Sequence, residues 1–257
     1  KAVAIPTDVR FGMDPDALEK ALDTYPIKAC WLMSSFQNPL GCTLPPENKV
    51  RLVEILQAHQ VAIIEDDVYS ELYFGSERAV PLKATSYRSE ILHCSSFSKC
   101  LAPGFRVGWV AAGAYAERIQ RLQLMSTLSA SVPVQLALAD YLQQGGYDTH
   151  LRRLRRVLEQ RQMAMYHAIL AEFPAQVSVS QPKGGYFLWL DLGENVDAAR
   201  VYQLALAKGV SVAPGSMFSA DQRFSHCIRI NTSFAWAPHT ARAISILAAL
   251  VAEEIKQ

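Results

Sequence analysis

The feature that most narrows the fold is a succession of short apolar runs, each closing on polar residues and set apart by helix-like stretches. "KACWLMSS" (28–35), "VAIIED" (61–66), "EILHCSS" (90–96) and "FRVGWVAAG" (105–113) have strand length and are largely apolar throughout. Between the first two, "PPENKVRLVEILQAHQ" gathers Val50, Val53, Ile55 and Leu56 on one side of a helix. Continuous apolar strands separated by helices predict an α/β domain with parallel strands covered on both faces. An earlier helix is predicted after Asp14-Pro15, an N-cap residue followed by proline at the first helical position.

From about 114 to 172 the pattern is nearly all helix, and "QLALADYLQQGG" stops at a glycine pair. The texture then changes to "QVSVS", a Pro-Lys-Gly-Gly turn, "YFLWLDL", a helix at 197–208, "VSVAP", "CIRINTSF" and a last helix. Short strands mixed with helices in this way predict a small α+β domain. The boundary is expected within the long helix, giving a large domain over 1–165 and a small one over 166–257. The arginines at 152, 153, 155, 156 and 161 flank an apolar stripe of Leu151, Leu154 and Leu158, which predicts a solvated helix face.

The 25 Lys and Arg against 24 Asp and Glu leave no polyelectrolyte character, so nothing global predicts nucleic-acid or membrane binding. The five cysteines form no CxxC pair, and no metal site is expected. Without a signal peptide or a long apolar run, the expected location is the cytoplasm. The opening "KAVAIPTDVR" begins without methionine and reads as part of a longer polypeptide.

Polar residues collect at or just beyond the strand ends, where an open parallel sheet binds ligands. Asn38, in "QNPLG", follows the first strand; Glu65, Asp66 and Asp67 close the second, with Tyr69 behind them. Ser96, Ser98 and Lys99 fall in "SSFSK" after the third, Arg106 lies in the fourth, and Arg229 in "CIRINTSF". Singly, each has an ordinary explanation: a turn, a helix cap, a surface lysine. Their order and common position favour a joint role. A lysine that is desolvated or set near another cation becomes nucleophilic. Hydroxyls from Ser96 and Ser98, with Arg106, form a cup for a phosphate dianion. A strand-end aspartate keeps a pyridinium nitrogen protonated, and a tyrosine and an asparagine bond a phenolic oxygen. Pyridoxal phosphate has those requirements.

"EDDVYSELYF", "SSFSKCLAPGFRVGW" and "PKGGYFLWL" together resemble the fold-type I pyridoxal-phosphate enzymes, the aspartate-aminotransferase superfamily. More narrowly, the chain is similar to the aminotransferase-like domain of GntR/MocR-type transcription regulators. The resemblance implies a three-layer αβα large domain with a mostly parallel sheet, here lacking a family stretch before residue 1, and a small C-terminal α+β domain. It implies pyridoxal 5'-phosphate as cofactor, with Lys99 as the Schiff-base lysine and proton shuttle. Asp66 would pair with the ring nitrogen, Asp67 being its rival and spacing favouring Asp66. Asn38 and Tyr69 would bond the ring hydroxyl oxygen, Ser96, Arg106 and Ser98 the phosphate, and Arg229 the carboxylate of an amino acid or 2-oxo acid. A homodimer is implied, and DNA contact only through an upstream domain.

Two functions remain open on these residues: the ligand-sensing domain of a regulator, and a free-standing aminotransferase moving an amino group between an amino acid and a 2-oxo acid. A third reading starts from Ser96-x-x-Lys99 and "KGG" at 183–185, which resemble penicillin-recognising serine hydrolases. Pro103 and Gly104 follow the lysine too soon for the buried helix that motif needs.

Overall fold

The apolar runs become strands where their side chains find helices to pack against. The computed structural model describes residues 1–85, 91–219, 221 and 223–256. In chain order its elements begin with β1 (Thr7–Asp8), β2 (Gly12–Met13), α1 (Pro15–Thr24), β3 (Ala29–Leu32), α2 (Pro46–Ala58), β4 (Ala62–Asp66), α3 (Leu82–Thr85), β5 (Ile91–Ser96) and β6 (Gly108–Ala111). The helices α4 (Ala116–Thr127), α5 (Val132–Gln143) and α6 (Gly146–Glu172) follow. The chain closes with β7 (Ser178–Val179), β8 (Phe187–Asp191), α7 (Ala198–Ala207), β9 (Ala213–Pro214), β10 (Cys227–Asn231) and α8 (Pro238–Ile255). The first residue of the predicted strand 90–96 lies outside the described residues.

Two compact units emerge, one of residues 3–37 and 42–155, the other of 38–41 and 156–257. The expected boundary at 165/166 and the division at 155/156 both fall inside α6.

In the first unit the sheet order is β3-β4-β5-β6. The first three strands are parallel, as the intervening helices require, whereas β6 runs antiparallel to β5. That corrects the parallel expectation for the last strand: residues 97–107 turn back tightly and contain no crossover helix. Leu18 and Leu22 of α1 and Leu52, Val53 and Leu56 of α2 pack on Cys30, Leu32, Ile63 and Ile91. Asp14 opens α1 as expected, accepting bonds from the backbone N–H groups of Asp16 and Ala17. The opposite sheet face is more open, with Trp31 64% exposed. Burial alternates along β3 and β4, the period-2 signature of a sheet with one packed face.

The second unit is the small α+β arrangement, a sheet of order β7-β8-β10-β9 with antiparallel pairing throughout. Leu188, Leu190, Ile228 and Ile230 turn to Val201 and Ala205 of α7, Ile244, Leu247 and Val251 of α8, and Met165 and Ile169 of α6.

The arginine run divides in a way its spacing does not reveal. Arg152, Arg153 and Arg156 are exposed on the solvated side, as expected. Arg155 instead donates to the Glu71 carbonyl at 2.7 Å and its carboxylate at 3.0 Å, with its guanidinium 3.8 Å from the Tyr73 ring centroid. Arg161 is held by the Ser233 carbonyl.

β6 approaches β5 closely at Gly108, where an added Cβ would lie 2.8 Å from the Ser95 carbonyl oxygen and 3.2 Å from Ser96 Cβ. Gly108→Ala is therefore expected to destabilise the protein by about 1–3 kcal/mol, the usual cost of overpacking. Chemical denaturation checks this, and an unchanged midpoint would show that β6 has slack to move.

Candidate functional site

Alternation along β4 sorts three consecutive carboxylates onto two faces. Glu65 and Asp67 point into the packed side, and Asp66 points to the open one. Across the parallel pairing Asp66 stands opposite Cys94 of β5, and Ser96 follows on the same face.

Beyond Ser96 the chain makes a single tight turn. The Phe97 carbonyl accepts from the N–H groups of both Leu101 and Ala102 at 2.9 Å, placing Lys99 at the crest. Two side chains of α6 hold this turn from beneath: Tyr147 Oη lies 3.1 Å from Cys100 Sγ, and His150 Nε2 2.8 Å from the Cys100 carbonyl. The Tyr147 ring also meets Phe97 edge-on. Lys99 itself is exposed, with its Nζ 5.9 Å from the ring centroid of buried Tyr69.

Asp66 lies within electrostatic range of Lys99. Burial raises its pKa above the ordinary value, and the Val68 N–H, the Lys99 charge and the Trp31 side chain oppose that rise without cancelling it. Its Oδ1 is buried and has no hydrogen-bond partner. Asp67 is differently employed. Its Oδ2 accepts from Ser70 Oγ at 2.6 Å and lies 3.5 Å from His93 Nε2. Its Oδ1, like that of Asp66, is buried without a hydrogen-bond partner, and the residue borders a cavity of about 210 Å³ lined by Glu71, Arg78, Ser95 and Tyr147.

Ser96, Ser98 and Arg106 form one chain of contacts. The Ser98 N–H donates to Ser96 Oγ at 3.4 Å, and Arg106 Nη1 to Ser98 Oγ at 3.3 Å and to the Pro103 carbonyl at 3.5 Å. Arg106 is not part of the strand predicted over 105–113. It adopts left-handed backbone angles (φ 53°, ψ 38°) at the end of a short turn over Pro103–Phe105, and β6 starts two residues later. That conformation, uncommon outside glycine, leaves its side chain exposed on the loop beside Ser98.

Asn38 and Arg229 belong to the second unit, where Arg229 Nη1 donates to Asn38 Oδ1. The guanidinium is stacked between aromatic rings, 4.2 Å from the Phe187 centroid and 4.8 Å from that of Phe218. Such stacking fixes the plane of the fork and leaves its edge to meet planar acceptors.

In the sequence Glu65 is only one of three strand-end acids, and His93 carries no signal. Glu65 is fully buried and accepts from Ser34 Oγ at 2.6 Å, from the N–H groups of Leu82 and Lys83 at 2.6 and 3.1 Å, and sits 2.7 Å from His93 Nδ1. His93 thus bridges the two acids that flank Asp66.

An amine and a carboxylate thus stand at the exits of adjacent parallel strands of an α/β unit, with hydroxyls and a guanidinium on the same turn as the amine. The chain belongs to the aminotransferase class I and II family, which it matches over residues 1–244. It is 52% identical over 255 residues to the uncharacterised HTH-type transcriptional regulator YdcR of Escherichia coli K12, across 99% of this chain and 54% of that protein. The 2-aminoadipate transaminase of Thermus thermophilus is 34% identical over 227 residues, 86% of this chain and 56% of that protein. Among solved structures, the multiple substrate aminotransferase of Thermococcus profundus superposes with a TM-score of 0.92 at 30% identity, across 99% of this chain and 64% of that one. The chain spans about half the length of the curated relatives it matches.

Burial opposes ionisation of Glu65, but bonds from His93, Ser34, Leu82 and Lys83 outweigh it and bring its pKa below the ordinary 4.5. A depressed carboxylate contributes stability that is present above the unfolded pKa and lost as pH falls through the folded one. Glu65→Gln is expected to cost on the order of 2–4 kcal/mol at neutral pH. It should also flatten the fall of stability on the acid side of the ordinary glutamate pKa of 4.5. Urea titrations of both proteins across that range provide the check; matching curves would remove Glu65 as a structural hub.

Proposed function

We propose that this chain is the pyridoxal-phosphate-binding, aminotransferase-like domain of a GntR/MocR-type transcription regulator. The observation that carries the cofactor assignment is Asp66 Oδ1, a buried carboxylate oxygen with no partner in electrostatic range of Lys99. A protonated ring nitrogen is the donor such an oxygen requires. The linked Ser96, Ser98 and Arg106 suit a phosphate dianion. Asp67 fits the ring-nitrogen role less well, because its Oδ2 already serves Ser70 and His93. The residues present therefore fit pyridoxal phosphate.

When bound, that cofactor supplies an aldehyde for amines and a ring that accepts the electron pair of a broken bond. Lys99 Nζ would hold it covalently and, once released, carry a proton to or from the substrate α-carbon. Asp66 would keep the ring nitrogen protonated through Oδ1, and its raised pKa is compatible with sharing that proton. Tyr69 and Asn38 would orient the ring hydroxyl oxygen. Arg229 would bind the carboxylate of an amino acid or 2-oxo acid with a fork already flattened between Phe187 and Phe218.

The regulator assignment is supported by the 52% identity with YdcR, which extends over 99% of this chain. Transaminase relatives share the same region, so the sensing site retains the parts of a catalytic one. A homodimer in the cytoplasm accompanies this reading.

For Lys99, borohydride treatment of the full-length protein with pyridoxal phosphate is expected to fix the cofactor on one peptide containing that lysine. Lys99→Ala should lose the covalent label and retain non-covalent binding. Labelling of another lysine would sink the assignment.

Role is tested by linkage. Full-length protein is titrated with pyridoxal phosphate in the presence and absence of the promoter fragment it binds. The DNA should change cofactor affinity by the same factor by which cofactor changes DNA affinity. If the complete gene encodes no DNA-binding module and its product turns over an amino acid with a 2-oxo acid, the free-standing aminotransferase replaces the regulator.

A further inference from the structure

At one end of the second unit's sheet, three donor side chains that the candidate site does not use come together. β8 ends on Asp191 and β10 begins on Cys227, and antiparallel register sets the two directly opposite each other. Their side chains consequently leave the same face as close neighbours. His226 precedes Cys227, and its Nε2 lies 3.7 Å from Asp191 Oδ1. The thiol sulfur, the imidazole nitrogen and the carboxylate oxygen all lie within 4.8 Å of one another.

We propose that Asp191, His226 and Cys227 bind a divalent transition metal, zinc in preference to others, with the fourth coordination position open to solvent. The donor set argues for the metal class. A thiolate with an imidazole suits zinc and its softer neighbours and excludes magnesium and calcium, which take oxygen ligands. Tetrahedral zinc with sulfur at about 2.3 Å and nitrogen and oxygen near 2.0–2.1 Å separates its donors by roughly 3.3–3.6 Å. Closing the cluster on an ion therefore needs inward movement of about an ångström.

The cup allows that movement. Cys227 is buried and forms the floor, while the side chains of His226 and Asp191 are 22% and 47% exposed and form an adjustable rim. Outer contacts are in place as well. Asp191 Oδ1 accepts from the Gly193 N–H at 2.9 Å, which sets the carboxylate. Burial and the Asp191 charge push the Cys227 thiol up to about 12, and a bond from the Trp189 side chain works against that rise; a metal ion on the sulfur would supply the charge that ionises it. Trp189 is itself fixed by edge-on contacts with Phe218 and Phe224. A bound ion would tie the end of β8 to the start of β10.

Metal-free full-length protein, without cofactor, is titrated with zinc against a chromophoric chelator and, in parallel, with cobalt followed by absorbance. One zinc per chain is expected, with a rise in melting temperature, and magnesium should give neither. Cobalt should produce a thiolate charge-transfer band that Cys227→Ser abolishes. His226→Ala, at the partly exposed rim, should weaken zinc binding by more than about tenfold, as loss of a ligand does. Undiminished zinc affinity in both variants would assign the ion to other residues and overturn the proposal. So would the lack of any cobalt–thiolate band in the wild-type protein.

Discussion

The first unit depends on one buried carboxylate. Glu65 gathers a hydroxyl from the segment after β3, two N–H groups from the start of α3 and the imidazole of His93 on β5. A charge at 0% exposure is tolerable only when its lone pairs are filled, and here four donors fill them. The same arrangement fixes the ends of three neighbouring elements relative to β4. Asp66, the next residue, inherits that rigidity without contributing to it. Asp67 extends the network through Ser70 to Arg78 and Glu71, and Arg155 closes it from α6.

Division of labour follows from the two-residue period of the strand. The packed face turns from apolar to ionic at its end, while the open face stays sparsely occupied around Asp66 and Ser96. Lys99 needs a different support, since it lies beyond the regular ladder. Tyr147 and His150 provide it by gripping Cys100 from α6. The amine thus stands exposed on a turn whose backbone is nonetheless determined.

What the sequence makes legible is local. Strand ends, the Asp14 cap and the succession of Asp66, Tyr69, Ser96 and Lys99 depend on neighbours in the chain, so pattern and spacing locate them. The pairing of Asn38 with Arg229 joins residues 191 positions apart, and no periodicity encodes such a meeting. Spacing puts Arg155 and Arg161 on a solvated face because it reports which side of a helix is polar but not what that side meets. The antiparallel return of β6 is hidden because an apolar run has no direction. Arg106 is drawn into that strand by its β-prone neighbours, whereas the turn before it sets its backbone left-handed.

Three acids in succession, two closing β4 and one just beyond it, carry a further consequence for how the family's chains can vary. Glu65, Asp66 and Asp67 are chemically near-equivalent, and only the parity of their positions separates the packed face from the open one. Insertion or deletion of one residue within β4 would exchange the faces, sending a structural acid onto the open face and Asp66 into the core. Composition would hardly change, and nor would strand propensity. Length variation in this strand is therefore far less tolerable than substitution, and homologues are best aligned by counting residues along β4 before comparing their identities.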